Sequence, residues 1–220
     1  MRLDAALRYI YDNLFLHYGP QHWWPAETPF EVIIGAILTQ STAWHNVEKA
    51  INNLKNFDAL SPAALRRLSQ EEIGRLVHPC GYYNAKARKL KALVEWLDVV
   101  CRDNLEVLFK IETDELRKQL LSVHGVGPET AESILLYAAN KPVFVIDAYT
   151  RRVMSRLGVT PETDTYIGYQ QLFMQSLPSD IRLFNEYHAL LVMLGKTVCR
   201  KQPLCEKCCL FDMCHHNEAR

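Results

Sequence analysis

Four cysteines within one short C-terminal run are the densest chemistry in this chain. The run "CRKQPLCEKCCLFDMC" spaces Cys199, Cys205, Cys208 and Cys214 as C-x5-C-x2-C-x5-C. Four thiolates in so short a span suit zinc or an iron–sulfur cluster, and the spacing favours neither. Cys80 and Cys101 lie far from this run and read as ordinary buried residues. A second concentration is "HGVGPETAES" (124–133). Gly125, Val126 and Gly127 form a tight turn, and Pro128 suits the first position of the helix that follows. Backbone amides at such a turn attract phosphate oxygens, yet Glu129 puts a carboxylate into the first helical turn. Downstream, Asp147 follows the apolar run "VFVI" (143–146) and opens the basic helix "AYTRRVMSR". An aspartate there is an N-cap, and a capping carboxylate has a fixed orientation that also suits chemistry in a cleft. His188 in "NEYHALL" reads as a core histidine and Lys196 as a solvated lysine. Trp23 and Trp24 in "QHWWPAETPFE" and Trp44 in "ILTQSTAWHNVEKA" supply either packing or a π-rich slot for a flat ligand.

The elements that must position these groups are helical. Thr28-Pro29-Phe30-Glu31 predicts a capping box with proline at the first helical position. Ser61-Pro62, Ser69-x-x-Glu72, Thr113-Asp114-Glu115 and Thr160-Pro161-Glu162 repeat the pattern of polar cap and early proline or acid, and Asn84 after "GYY" predicts another cap. Between caps, apolar residues fall at helical spacing, as in Phe30, Ile33, Ile34, Ile37 and Leu38. "VFVI" is too brief to imply a sheet. The expectation is an all-α protein of about ten short helices with tight connections and no long linker.

Composition bounds the function classes. At 220 residues and 49% hydrophobic, the chain can bury a good core, and no apolar run approaches the roughly 20 residues of a membrane helix. The amphipathic, charged start "MRLDAALRYIYDNL" does not read as a secretory signal, so a cytoplasmic protein is expected. Lys+Arg and Asp+Glu balance at 25 each, so net charge is silent on nucleic acid. Local basic runs, "NAKARKLK", "YTRRVMSR" and "GKTVCRK", can supply phosphate contacts or simply solvated faces.

The hairpin, the downstream aspartate and the cysteine run together resemble the helix-hairpin-helix DNA glycosylases of the endonuclease III superfamily. The likeness extends from "TPFEVIIGAILTQ" through "GYYNAKARKL" to Cys214. It implies a six-helix barrel lobe over 28–140 and a discontinuous lobe of 1–27 and 141–220. The cleft is expected to hold Asp147, the tryptophans and Glu129. By resemblance, Asp147 serves the reaction at C1′, and Gly125, Val126, Gly127 and Thr130 grip the DNA backbone. Gln40, Ser41 and Thr42 stand where the family inserts a polar wedge, and Asn84, Lys86, Arg151 and Arg200 are further expected DNA contacts. The family often has glutamine at the position of Ser41, whereas here it precedes it. Bifunctional members read "GVGxKTA", with a lysine that forms an imine with the sugar. Glu129 occupies that place, and a carboxylate cannot form an imine, which leaves hydrolysis.

"WWP" paired with "ILTQST" and an aromatic soon after is similar to the bacterial 3-methyladenine glycosylases of the endonuclease III type. That likeness implies a base pocket of Trp24 and Trp44 on the two faces, with Trp23 and Glu129 nearby. A lesion base must leave the stack to enter such a pocket. Superfamily members show C-x6-C-x2-C-x5-C, so Cys199, Cys205, Cys208 and Cys214 are expected to hold a [4Fe–4S] cluster, with zinc the alternative. The first spacer here is one residue shorter, and Cys209 is left unligated. The implied partner is damaged double-stranded DNA, bound by a monomer associated with the nucleoid. Alternatives are a glycosylase for mispaired adenine or oxidised pyrimidines, and a hairpin protein that binds DNA without catalysis.

Overall fold

The computed structural model describes residues 2–218. Its helices are α1 (Leu3–Tyr18), α2 (Pro29–Leu38), α3 (Trp44–Asn56), α4 (Pro62–Arg67), α5 (Gln70–Leu76), α6 (Tyr83–Cys101), α7 (Leu105–Lys110), α8 (Thr113–Ser122), α9 (Pro128–Ser133), α10 (Ala148–Arg156), α11 (Tyr166–Ser176), α12 (Ile181–Thr197) and α13 (His215–Glu218). A π-helical segment, Ile134–Ala138, continues α9. No strand occurs among the described residues, and none of their helices is long and apolar enough to cross a membrane. The fold is all-α, with more helices than the caps alone announced.

Local chemistry explains most of the starts. The Thr28 and Ser61 hydroxyls accept from the N–H groups of Glu31 and Ala64 at 3.1 and 3.3 Å, each just ahead of a proline. The reciprocal capping box forms at Ser69 and Glu72. At α2 it does not, because the Glu31 carboxylate accepts from Glu27 N–H instead, at 3.2 Å. Three expected starts are corrected. Glu112, not Thr113, caps α8, accepting from the N–H groups of Asp114 and Glu115. Asn84 is the second residue of α6, behind a Tyr82 held at φ 45°. No helix begins at Thr160; α11 waits for Thr165, whose hydroxyl accepts from Gly168 N–H at 3.0 Å.

Contacts divide the chain into two compact units, Ala26–Lys141 and a discontinuous one of Met1–Pro25 with Pro142–Arg220. In the continuous unit, α2 is central, and nine of its ten residues are buried. It is therefore apolar on all sides rather than along one stripe. It packs on α3, α6, α9 and the π-helical segment. In the discontinuous unit, α12 packs on α1 and α10. The extended run 143–146 threads that core: Phe144 stacks on Phe173 at 3.9 Å, and Tyr187 and Phe184 meet its edge. A buried extended chain must satisfy its polar groups without a sheet. Gln170 Nε2 donates to Phe144 O at 2.9 Å, and Ile146 N–H donates to Tyr166 Oη at 3.2 Å.

Candidate active site, hairpin and cysteine loop

The buried run ends at Asp147, which is thereby fixed from both sides. Its Oδ1 accepts from Thr150 N–H at 2.7 Å, making it the N-cap of α10. Its other oxygen, Oδ2, lies 3.8 Å from His188 Nε2. Side-chain exposure is 13% for Asp147 and 7% for His188. Burial pulls the His188 pKa below the ordinary histidine value, while the Asp147 charge pulls it back up. The sequence reading of His188 as a core histidine is right about burial and misses this neighbour. No local spacing links residues 147 and 188; only the packing of α10 on α12 does.

Trp23 and Trp24 are half-buried in the same unit, joined by a cis peptide, with rings edge to face at 5.7 Å. Trp44 is half-buried at the first turn of α3 in the other unit, as Glu129 is exposed in the first turn of α9. Arg151 is engaged by Asp164 at 2.7 Å and lies 5.5 Å over the Tyr169 ring. Arg200 and Asn84 are exposed.

The glycine turn is built around a lysine. Gly125 sits at φ 82°, where a side chain is strained, and a Cβ there would lie 2.3 Å from Lys89 Cγ. Gly127 is in ordinary extended geometry as the N-cap of α9. Two expected DNA contacts are engaged within the protein here. Val126 N–H donates to Val123 O at 3.0 Å, and its side chain is buried. Lys86 is only 2% exposed, and its ammonium donates to Leu38 O at 2.8 Å, Cys80 O at 3.0 Å and Thr42 Oγ1. It is a buried tie, not a surface cation. Gln40 is likewise turned inward, its Nε2 donating to Gly125 O at 3.0 Å and to Thr130 Oγ1 at 2.9 Å. Thr130 is buried, Thr42 Oγ1 donates to Cys80 O at 2.8 Å, and Ser41 is exposed at φ 53°.

Cys199, Cys205, Cys208 and Cys214 line one cavity with Arg156 and His216, and Cys209 does not. Four thiols on one cavity are a donor set that fits either zinc or an iron–sulfur cluster. Among the described residues no three His, Cys, Asp or Glu side chains gather closely enough for a single ion. A single zinc draws four sulfurs to about 2.3 Å from one point, whereas a cluster accepts a wider ring. Burial pushes the Cys208 thiol up to about 11, with the neighbouring cysteines adding to the shift, so it stays protonated until a metal replaces the proton. Helix α10 holds the start of this loop. Arg152 donates to Cys199 O at 2.9 Å and Gly195 O at 2.8 Å, and Arg156 donates to Arg200 O at 2.6 Å and Cys199 Sγ at 3.3 Å. Cys80 and Cys101 are buried, as expected.

Comparison with known proteins agrees with this arrangement. Residues 34–179 match the family described as HhH-GPD superfamily base excision DNA repair protein. A Methanocaldococcus jannaschii protein provisionally named a DNA repair glycosylase is 46% identical over 93% of this chain and 94% of its own. Endonuclease III of Thermotoga maritima is 30% identical over 87% of this chain and 85% of its own. The structure of a Helicobacter pylori 3-methyladenine DNA glycosylase, bound to 1,N6-ethenoadenine, superposes with a TM-score of 0.76 at 26% identity, over 89% of this chain and 98% of that one. The chain belongs to the HhH-GPD superfamily of base excision DNA repair proteins, and within it to the endonuclease III-like DNA glycosylases.

Proposed function

We propose that this DNA glycosylase hydrolyses the N-glycosidic bond of alkylated purines in duplex DNA and leaves the strand uncut. The observation that carries the reading is that Glu129, not a lysine, stands in the first turn after the hairpin; Asp147 separately offers an oriented, partly buried carboxyl group. An amine at residue 129 would attack C1′ and open the sugar; a carboxylate there does not. Asp147 then either deprotonates the attacking water or stabilises positive charge developing on the sugar. A purine alkylated at N3 or N7 is cationic with a weakened glycosidic bond, and it leaves as a neutral base with little acid catalysis. The rings of Trp24 and Trp44 suit such a cation by roughly 0.5–2 kcal/mol. The Helicobacter pylori protein named for 3-methyladenine, with a modified adenine bound, supports the same substrate class.

The turn at half-buried Gly125 and exposed Gly127, with exposed Ser41 and Arg200, would meet the DNA backbone. Cys199, Cys205, Cys208 and Cys214 would hold a [4Fe–4S] cluster, which when bound ties the loop together and lends it redox capacity.

End-labelled duplex DNA carrying methylated purines tests the reading, each reaction being split and half heated in alkali. Breaks seen only after alkali are the expected result. Breaks without alkali would mean that another amine forms the imine, and the hydrolytic reading falls. No breaks in either half would remove alkylpurines as substrates.

A further inference from the structure

The loop between α2 and α3 is pinned at alternate residues. Leu38 O and Thr42 Oγ1 are held by the buried Lys86, and Thr42 Oγ1 also donates to Cys80 O. Between them, Gln40 has both amide donors engaged on the hairpin, at Gly125 O and Thr130 Oγ1, and its Oε1 accepts from Lys89 Nζ. A side-chain amide offers two donors and one carbonyl, so every polar atom of Gln40 is in use. The Lys89 stem in turn fills the space where Gly125 has no Cβ. The residue left over is Ser41, exposed and held at a positive φ of 53°, a geometry that a serine keeps only when its neighbours impose it.

We infer that Gln40 is a positioning residue that locks the α2–α3 loop and the glycine hairpin into one rigid DNA-reading surface, with Lys89 as its anchor, and that Ser41 is the side chain this loop presents to the duplex. The inference rests on the functional reading above, since it assigns parts to the same DNA-binding surface. It narrows the expectation of a polar wedge at Gln40, Ser41 and Thr42 to Ser41, because Gln40 would have to break all of its bonds to the hairpin to enter the duplex. Burial lowers the Lys86 pKa, yet its oxygen partners hold it in place beside Cys80 and Lys89.

Three variants test it: Gln40→Ala, Lys89→Met and the pair. Affinity is measured for undamaged duplex and for duplex with a tetrahydrofuran abasic site, alongside 2-aminopurine fluorescence as a report of base eversion. If Gln40 positions the hairpin, Gln40→Ala and Lys89→Met each weaken both duplexes by a similar factor, about three- to tenfold, and the pair is no worse than either alone. Ser41→Gly then lowers the 2-aminopurine signal by a larger factor than it lowers undamaged-duplex affinity, and an eversion signal left at the wild-type level removes Ser41 from that role. If Gln40→Ala spares undamaged duplex and loses only the eversion signal, glutamine is the wedge and the inference is overturned. Amide hydrogen exchange supplies an arm that needs no DNA. Faster exchange at Gly125, Val126 and Thr130 in Gln40→Ala upholds the coupling, and unchanged exchange overturns it. A wild-type chain that binds no duplex overturns the functional reading instead, and the exchange arm then decides the coupling alone.

Discussion

At the scale of single residues, residue 129 decides which chemistry the site can run. An acid in the first turn of α9 stabilises that helix by about 0.3–1 kcal/mol, so glutamate has a structural reason to be there. The same position denies the sugar an amine. Borohydride added during turnover traps an imine where one forms. The wild-type chain is expected to give no trapped complex, and Glu129→Lys to give one on abasic DNA. Trapping by the wild type would transfer the lyase role to another lysine. His188 carries a second prediction. Its pKa is depressed in the fold by burial, so the unfolded chain takes up the proton first as pH falls. The stability contributed by neutral His188 is complete above the unfolded value, about 6.5, and is lost as pH falls below it towards the folded value. Thermal midpoints measured from pH 8 to 5 should fall along that limb, and His188→Gln should flatten it.

Among the elements, the hairpin is specified more tightly than its sequence suggests. Gly125→Ala meets both a positive φ and the Lys89 stem, for an expected cost of about 1–3 kcal/mol. Gly127→Ala meets nothing within 4 Å and has extended backbone, so its effect should stay within about 1 kcal/mol. Thermal melts of the two variants separate these expectations, and equal losses would mean that the lysine stem yields freely. The contrast shows what was legible in the sequence. Caps such as Ser61, Ser69 and Asp147 are local chemistry over three or four residues, so they could be read directly. At Thr160 the local pattern is outweighed by the chain that follows, which packs Thr163 O so close to Gly168 that a Cβ there would lie 2.4 Å away, and the cap falls to Thr165. Lys86 looked like a surface cation because "NAKARKLK" is a basic run; the oxygens that bury it come from residues 38, 42 and 80. The Asp147–His188 approach and the inward turn of Gln40 are products of packing of the same kind, and no spacing along the chain announces them.

For the whole molecule, the proposed metal group makes the discontinuous unit the one whose completion would depend on something the polypeptide does not itself provide. The cysteine loop holds only two single turns, Cys205–Lys207 and Phe211–Met213, and its buried apolar anchor is Leu210. So little local structure cannot offset the entropy of ordering the loop, and four metal bonds can. The proposed ligands Cys199, Cys205, Cys208 and Cys214 line one cavity, and Cys209 does not. Cys205→Ser is therefore expected to purify with little metal and without colour, whereas Cys209→Ser keeps the wild-type metal content. Metal analysis separates the two candidate groups, since a cluster gives iron and sulfide, and the alternative gives zinc alone. Because Arg152 and Arg156 of α10 donate to carbonyls at the start of the loop, losing the metal should speed hydrogen exchange across the loop and the last turn of α10. Exchange in Ala26–Lys141, which has its own core, should change little. If Cys209→Ser lost its metal as completely as Cys205→Ser, the ligand set would have to be redrawn around the adjacent cysteine, with spacers of three and four in place of two and five.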